Sequence, residues 1–327
     1  MGGGDCGIRQ WRLADGQGVR KQTGMAAYAI SVSSDYKWIV CGTAMGASVW
    51  DGEMRAKAID TEGTNAVWAV DVSPDSTTFA TGTSESRASI WNITSGERLI
   101  GPLEHDDYVN GIRFSPNGER IATACWKNSI HIFDSQTGDK LVAIKTDVPG
   151  WGPATPLAWS SDAYQIFSAS FDNKIRSFNT STGSLLAESQ ILRDGNNNVH
   201  SIALAANGNF IATFADYSMS FLNTSTLTLI GPIIEDSKQI RSIAISAGSN
   251  HLATGRGDGK VVIRDLSKIL SDLYGPFHVR ICAFMISIFQ IIPVSSPMAI
   301  NYIGTYLCAS SRRRAISDLG RSRQQDT

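Results

Sequence analysis

The segment Gly255-Arg256-Gly257-Asp258-Gly259-Lys260 holds the residue types of three chemistries: a glycine loop for a dinucleotide, a phosphate cradle ending in lysine, and an Arg-Gly-Asp adhesion motif. Context removes each. A dinucleotide loop must join a strand to a helix, whereas a strand pattern follows here, and a phosphate loop needs Ser or Thr after the lysine, where Val261 stands. A tight hairpin turn accounts for the glycines instead. The histidines, His105, His131, His200, His251 and His278, fall far apart with no pair at metal-ligand spacing. Cys6, Cys41, Cys125, Cys282 and Cys308 are equally scattered, and no Gly-X-Ser-X-Gly elbow occurs. Met1-Gly2 opens like an N-myristoylation signal, but Cys6 fills the place where Ser or Thr is preferred. The acidic residues sit at turn positions that recur along the chain. The residues therefore predict no catalytic group, no metal and no cofactor, and a protein that is not an enzyme.

With 29 basic and 30 acidic residues in 327, the chain has no global field to recruit nucleic acid or an anionic membrane, so any binding must be local. An odd number of cysteines and a first segment, MGGGDCGIRQ, without an apolar signal stretch point to a reducing compartment, cytoplasmic or nuclear. Sequons stand at Asn92, Asn179 and Asn223, each directly after a strand where a polar turn residue belongs, which is the simpler explanation for them.

The elements that must position any site repeat at about 40 to 45 residues. The closing residues of successive units are Trp11, Trp50, Trp91, Phe133, Phe178, Leu222 and Arg264, followed by Asp or Asn in six cases. The unit from Tyr108 shows the grammar most clearly: an alternating apolar strand, a Ser-Pro-Asn-Gly turn, a second strand, a third ending in Phe133, then a Thr-Gly turn into a fourth. Four strands per unit make one blade, and no amphipathic helix is expected in the first 277 residues.

These units resemble WD40 repeats. Trp50-Asp51 is the full signature, Trp91-Asn92, Phe133-Asp134 and Phe178-Asn179 are one substitution away, and Ser73-Pro74-Asp75 and Ser115-Pro116-Asn117-Gly118 supply the turn. The resemblance covers about residues 2 to 284 and is similar in its divergence to the expanded WD40 arrays of filamentous fungi. It implies an all-β fold, a seven-bladed β-propeller of four-stranded antiparallel blades. Many WD40 blades also carry a bonded set of His, Ser or Thr, Asp and Trp, which no unit here keeps whole. His105 takes the histidine position but Lys127 replaces its Asp, and Asp172 and Asp258 stand at the Asp position of blades that lack the His and Trp. Arg264 in place of an aromatic is expected to leave a weak seam.

Six complete units span about Met25 to Gly275, with half a blade at each end. The strand near Val279, in His278 to Phe284, is expected to dock beside the one near Trp11, so that the two chain ends share the seventh blade and no sheet edge is left open. A truncated product, or a piece of a larger protein, would also start in mid-repeat. Residues 1–286 are assigned to the propeller and 287–327 to a divergent tail, partly packed on the ring and disordered at its end. The uncharged stretch 281–308 suggests a membrane span, but Pro293 and Pro297 cut it into pieces of about 12 residues, too short to cross as a helix. Closing strands and loops, or sequence unrelated to the repeats, explain it instead.

Loops on a rigid scaffold are where binding resides. The loops between fourth and first strands, and between second and third, share one face. The position after the first-strand apolar residue holds Tyr28, Trp68, Asn110, Thr155, His200, Arg241 and Arg280, a ring that borders the central channel in WD40 families. Tyr108, Trp126 and Trp151 lie in adjoining loops beside Glu104, Asp106 and Asp107, while Arg241, Arg256 and Arg280 mark the other side. Trp68, Tyr108, Asn110, Trp126, Trp151, His200 and Arg241 are the candidate partner-binding residues. The expected function is a non-catalytic scaffold that presents this face to a peptide or protein partner, with no nucleic acid or membrane partner. The alternatives are a sensor domain detached from a larger NACHT-type signalling protein and, behind it, a propeller enzyme.

Overall fold

The computed structural model describes residues 8–11, 18–21, 27–52, 57–60, 65–126, 129–145, 156–169, 172–190, 192, 199 and 201–274. A two-stranded sheet, β1 (Ile8–Trp11) against β2 (Gly18–Lys21), comes first. Six blades follow. Blade one is β3 (Ala27–Val32), β4 (Trp38–Thr43), β5 (Gly46–Asp51) and β6 (Lys57–Asp60); blade two is β7 (Val67–Val72), β8 (Thr78–Thr83), β9 (Arg87–Asn92) and β10 (Arg98–Glu104). Blade three is β11 (Val109–Phe114), β12 (Arg120–Cys125), β13 (Ser129–Asp134) and β14 (Lys140–Lys145), and blade four is β15 (Leu157–Trp159), β16 (Gln165–Ala169), β17 (Ile175–Asn179) and β18 (Leu185–Glu188). Blade five is β19 (Ser201–Leu204), β20 (Phe210–Ala215), β21 (Ser218–Asn223) and β22 (Ile234–Glu235), and blade six is β23 (Ile240–Ile245), β24 (His251–Arg256) and β25 (Val261–Asp265). Each sheet is a meander in which every strand pairs antiparallel with the next.

Two expectations change here. The described residues form six blades rather than seven, and the strand near Val279 that was to complete the seventh lies outside them, as does the tail 287–327. The sixth unit also has three strands instead of four, because the chain enters a helix, α1 (Leu266–Tyr274), where the fourth strand was expected. Asp265 starts that helix: its Oδ1 accepts from the Ser267 N–H at 2.9 Å and from the Ser267 hydroxyl at 2.6 Å, the bonding of an N-terminal cap. Leu266, Ile269 and Leu270, at helical spacing, then pack on the core between blades five and six. Nine residues are too few for their periodicity to stand out beside strand patterns.

The recurrent turn has a physical basis. In blades one to four the first serine after the first strand donates to an Asp or Asn side chain two residues on: Ser33 to Asp35 at 2.6 Å, Ser73 to Asp75 at 2.5 Å, Ser115 to Asn117 at 2.7 Å and Ser160 to Asp162 at 2.5 Å. The same hydroxyl accepts the N–H that opens the second strand, as Thr78 N does to Ser73 at 3.0 Å. The turn closes on its own side chains. At the same end of the blade, where the third strand closes, Asn92, Asp134, Asn179 and Asn223 each accept two backbone N–H groups of the following turn, for example from Thr94 at 2.9 Å and Ser95 at 2.8 Å on Asn92. The sequon asparagines are thus turn builders.

The core lies between blades, not within them. Phe133 of blade three packs with Ala88, Ile90 and Leu103 of blade two, Phe178 of blade four with Ile130 and Ile132 of blade three, and Leu222 of blade five with Phe167 and Ile175 of blade four. The closing residue of each repeat therefore seals the seam with the preceding blade. Trp50 does so against Ile8 of β1, which is fully buried. Each such side chain contributes about 1.5–3 kcal/mol by leaving water. First strands of successive blades abut from β3 to β23 and form the inner wall. Where second strands pass the next first strand the approach is close: a Cβ on Gly82 would lie 2.7 Å from Val109 Cγ1 and 2.8 Å from Val109 O.

Candidate partner-binding face

Antiparallel meanders bring the start of the first strand, the turn between second and third strands, and the end of the fourth strand to one end of each blade. Tyr28, Trp68 and Asn110 occupy the second position of β3, β7 and β11, three adjoining first strands. The rings of Tyr28 and Trp68 stack with centroids 4.8 Å apart and planes 12° from parallel. Trp68 is half-buried, and its Nε1 is shut off from solvent with no hydrogen-bond partner. Asn110 is also half-buried, with both Oδ1 and Nδ2 in the same condition. Three orphaned polar atoms on neighbouring strands are costly, at roughly 1–3 kcal/mol each.

The loop before β11 adds the rest. Tyr108 is 49% exposed, and its carbonyl accepts from the half-buried Trp126 N–H at 3.0 Å, which ties the two loops together. Asp107 caps that loop by accepting the Tyr108 N–H at 2.7 Å, Asp106 is exposed, and Glu104 accepts from Arg87 Nε at 3.1 Å. Arg241 is exposed at the second position of β23, three blades on from Asn110, so it stands apart from the aromatic group. Arg256 pairs with Asp236 at 3.0 Å and donates to Ser237 at 2.8 Å. Trp151, Thr155, His200 and Arg280 lie outside the described residues.

Two residues of this face escaped the sequence reading. Met45, 58% exposed, and Tyr217, 49% exposed, occupy the turns between second and third strands of blades one and five. Their signal was a large apolar side chain in the turn between second and third strands, the turn that Trp126 opens in blade three.

Beneath the face, His105 sits in the histidine position of its repeat and reaches Thr123 Oγ1 through Nε2 at 2.7 Å, while its Nδ1 donates to Leu103 O at 2.8 Å. It stacks on His131, centroids 5.1 Å apart, and Phe133 closes the group at 5.4 Å from His105. Burial pulls His105 down to about 4 and also lowers His131, so both rings are neutral near pH 7. Burial pushes the Cys41 thiol up to about 12 and Cys125 up to about 11, which leaves both unreactive. Asp172 turns away from the WD40 pattern and holds Arg176, whose Nη1 is 3.1 Å away. Asp258 accepts the Lys260 N–H at 3.2 Å within the β24–β25 hairpin, where Gly259 has φ of +81°, so the Gly255 to Lys260 segment is a turn. Among the described residues no three His, Cys, Asp or Glu side chains come close enough to hold a metal, and no helix is long and apolar enough to cross a membrane.

Sheets of meandering strands whose closing residues seal successive seams around an inner wall define a β-propeller. The family model described as WD domain, G-beta repeat matches residues 57–92, 98–134 and 223–265, so the chain carries WD40 repeats. It is 30% identical to the small ribosomal subunit protein RACK1 of Caenorhabditis elegans across 41% of this chain and 43% of that protein. It is 24% identical to eukaryotic translation initiation factor 3 subunit I of Aspergillus oryzae across 62% of each, and 31% identical to WD repeat-containing protein 1 of Gallus gallus across 33% of this chain and 18% of that protein. The match thus spans less than two thirds of each relative's length. Among solved structures, a chain of Kuenenia stuttgartiensis hydrazine synthase superposes with a TM-score of 0.67 over 78% of this chain and 81% of that one, at 16% identity, a likeness of fold.

Proposed function

We propose that this protein is a non-catalytic interaction scaffold that binds a peptide or protein partner on the face carrying Trp68, Tyr108, Asn110 and Trp126, with Trp151, His200 and Arg241 completing the surface. The observation that carries the reading is the Tyr28–Trp68 stack on adjoining first strands, beside the exposed Tyr108 and the half-buried Trp126. The exposed Tyr108 ring and the half-buried rings of Tyr28, Trp68 and Trp126 supply anchor area of the kind that dominates binding energy. The names of two relatives, a ribosomal subunit protein and a subunit of an initiation factor, belong to components of larger assemblies, which supports the scaffold reading. A cytoplasmic setting agrees with the buried free thiols of Cys41 and Cys125. Replacing Trp68 and Tyr108 by alanine is expected to abolish recovery of the partner while the melting profile is kept; unchanged recovery rejects the site.

The same proposal includes closure of the ring through a seventh blade, with residues 279–284 paired beside β1. Support comes from Ile8, fully buried against Trp50, which places β1 on the seam in front of blade one. Deleting residues 279–286 should accelerate amide exchange at Arg9 and Gln10; unchanged protection rejects closure.

A further inference from the structure

The opposite mouth of the channel, at the turns between first and second strands, holds a cavity of about 580 Å³ lined by first strands of blades two to six. Its wall is divided. At the next-to-last position of successive first strands stand Asp71, Arg113, Ala158, Ala203 and Ala244, so one arc carries a charged pair and the other only methyl groups. Apart from Asp71 and Arg113, every lining residue is uncharged.

The charged pair is asymmetric. The Asp71 side chain is 14% exposed and both its oxygens are engaged: Oδ1 accepts from Ser31 Oγ at 3.3 Å and Arg113 Nη1 at 3.0 Å, and Oδ2 accepts the Phe114 N–H at 2.8 Å. The Arg113 side chain is 48% exposed. A guanidinium has five N–H donors, and the bond to Asp71 uses one nitrogen. The geometry is that of a cation held in place from behind with its remaining donors open to the cavity. Trp159, which donates through Nε1 to Arg113 O at 3.1 Å, fixes the adjoining wall.

We propose that this mouth binds a small amphipathic carboxylic acid, with the carboxylate on Arg113 and the hydrocarbon chain along Ala158, Ala203 and Ala244. A planar carboxylate matches the guanidinium fork, and an apolar chain loses nothing against a wall of methyl groups. The volume is in the usual range of about 300–1,000 Å³ for small-molecule sites. The site lies at the other end of the channel from the partner face and does not depend on it. Asp71 is a positioning residue here: it orients Arg113 and does not meet the ligand.

Octanoate and its neutral isostere octanamide, titrated into the full chain by calorimetry, separate the parts of the proposal. Octanoate should saturate one site and octanamide should bind at least tenfold more weakly. R113Q should lower octanoate affinity at least tenfold and leave octanamide where it was. A244F, at an exposed wall position, should block both ligands, and it carries the test should R113Q not fold. Absence of saturable octanoate binding, equal affinity for the two ligands, or unchanged octanoate binding in A244F overturns the proposal.

Discussion

Arg264 Nη1 donates to Thr254 Oγ1 at 2.6 Å from the position in blade six where Trp91 Nε1 donates to Thr81 Oγ1 at 2.9 Å in blade two. The registers confirm the equivalence, since Arg264 faces Leu252 as Trp91 faces Phe79. The guanidinium also reaches Asp236, whose side chain is 3% exposed and which pairs with Arg256 as well. The seam expected to be weak is thus sealed by a polar network in place of an indole. Burial works against ionisation of Asp236, but the Lys238 N–H and the two guanidiniums outweigh it and hold the carboxyl below its usual range.

Asp236→Ala should therefore destabilise the fold by about 3 kcal/mol, because it strands two partly buried cations. Arg264→Ala should cost less, about 2 kcal/mol, since Arg256 still neutralises the carboxylate. Urea denaturation of the single and double variants should give a coupling energy above about 1 kcal/mol. Simple additivity would mean that the two side chains act independently.

A second network crosses blades at the inner wall. Asp71 joins Ser31 of blade one to Arg113 and Phe114 of blade three, and Ser31 Oγ accepts the Val72 N–H at 3.2 Å. Asp71→Ala should cost about 2–3 kcal/mol, leaving the Phe114 N–H unanswered, while Ser31→Ala should cost about 1 kcal/mol. Equal small effects in thermal melts would show that the inner wall is held by apolar packing alone.

Stability should also fall on mild acidification. The folded chain holds His105 at about 4, against 6.5 for the free side chain, so the unfolded state takes up the proton first. The His105 contribution is complete above about pH 6.5 and declines as pH drops toward 4, by a few kcal/mol at most. His105→Asn should flatten the unfolding midpoint between pH 6.5 and 4. A wild-type midpoint constant over that window would contradict the neutral, buried pair with His131.

Much of this architecture is legible in the residues. The serine-led turns at Ser73 and Ser115 and the closing aromatics Trp50, Phe133 and Phe178 are local signals, each with a job that the residue performs itself. Their spacing delivers the blades. What escaped depends on partners far along the chain. Arg264 reads as a defect until Asp236, from the preceding loop, is placed beside it, and α1 is too short for its period to be distinguished from a fourth strand. The site is similar: Tyr28 and Trp68 lie 40 residues apart, and only their equivalent places on adjoining strands make them a stack. Met45 and Tyr217 were missed because turn residues with apolar side chains carry no periodic signature.

Close approach gives a local test of the packing. Gly82→Ala should destabilise by about 2 kcal/mol because the new methyl meets backbone as well as side chain of Val109. Val109→Ala in the same chain should recover only part of that loss, since the carbonyl oxygen remains in the way.

The partner face is tested most directly by quantitative recovery of bound protein from native extract with three forms: wild type, Trp68→Ala/Tyr108→Ala, and Tyr164→Ala. Tyr164 is 50% exposed in a turn between first and second strands, at the other end of the blade, and so controls for loss of exposed aromatic area. The specific partner should disappear with the double variant and persist at the wild-type level with Tyr164→Ala. Recovery that survives the double substitution, or falls equally in both variants, would contradict the assignment of binding to the Trp68 and Tyr108 face.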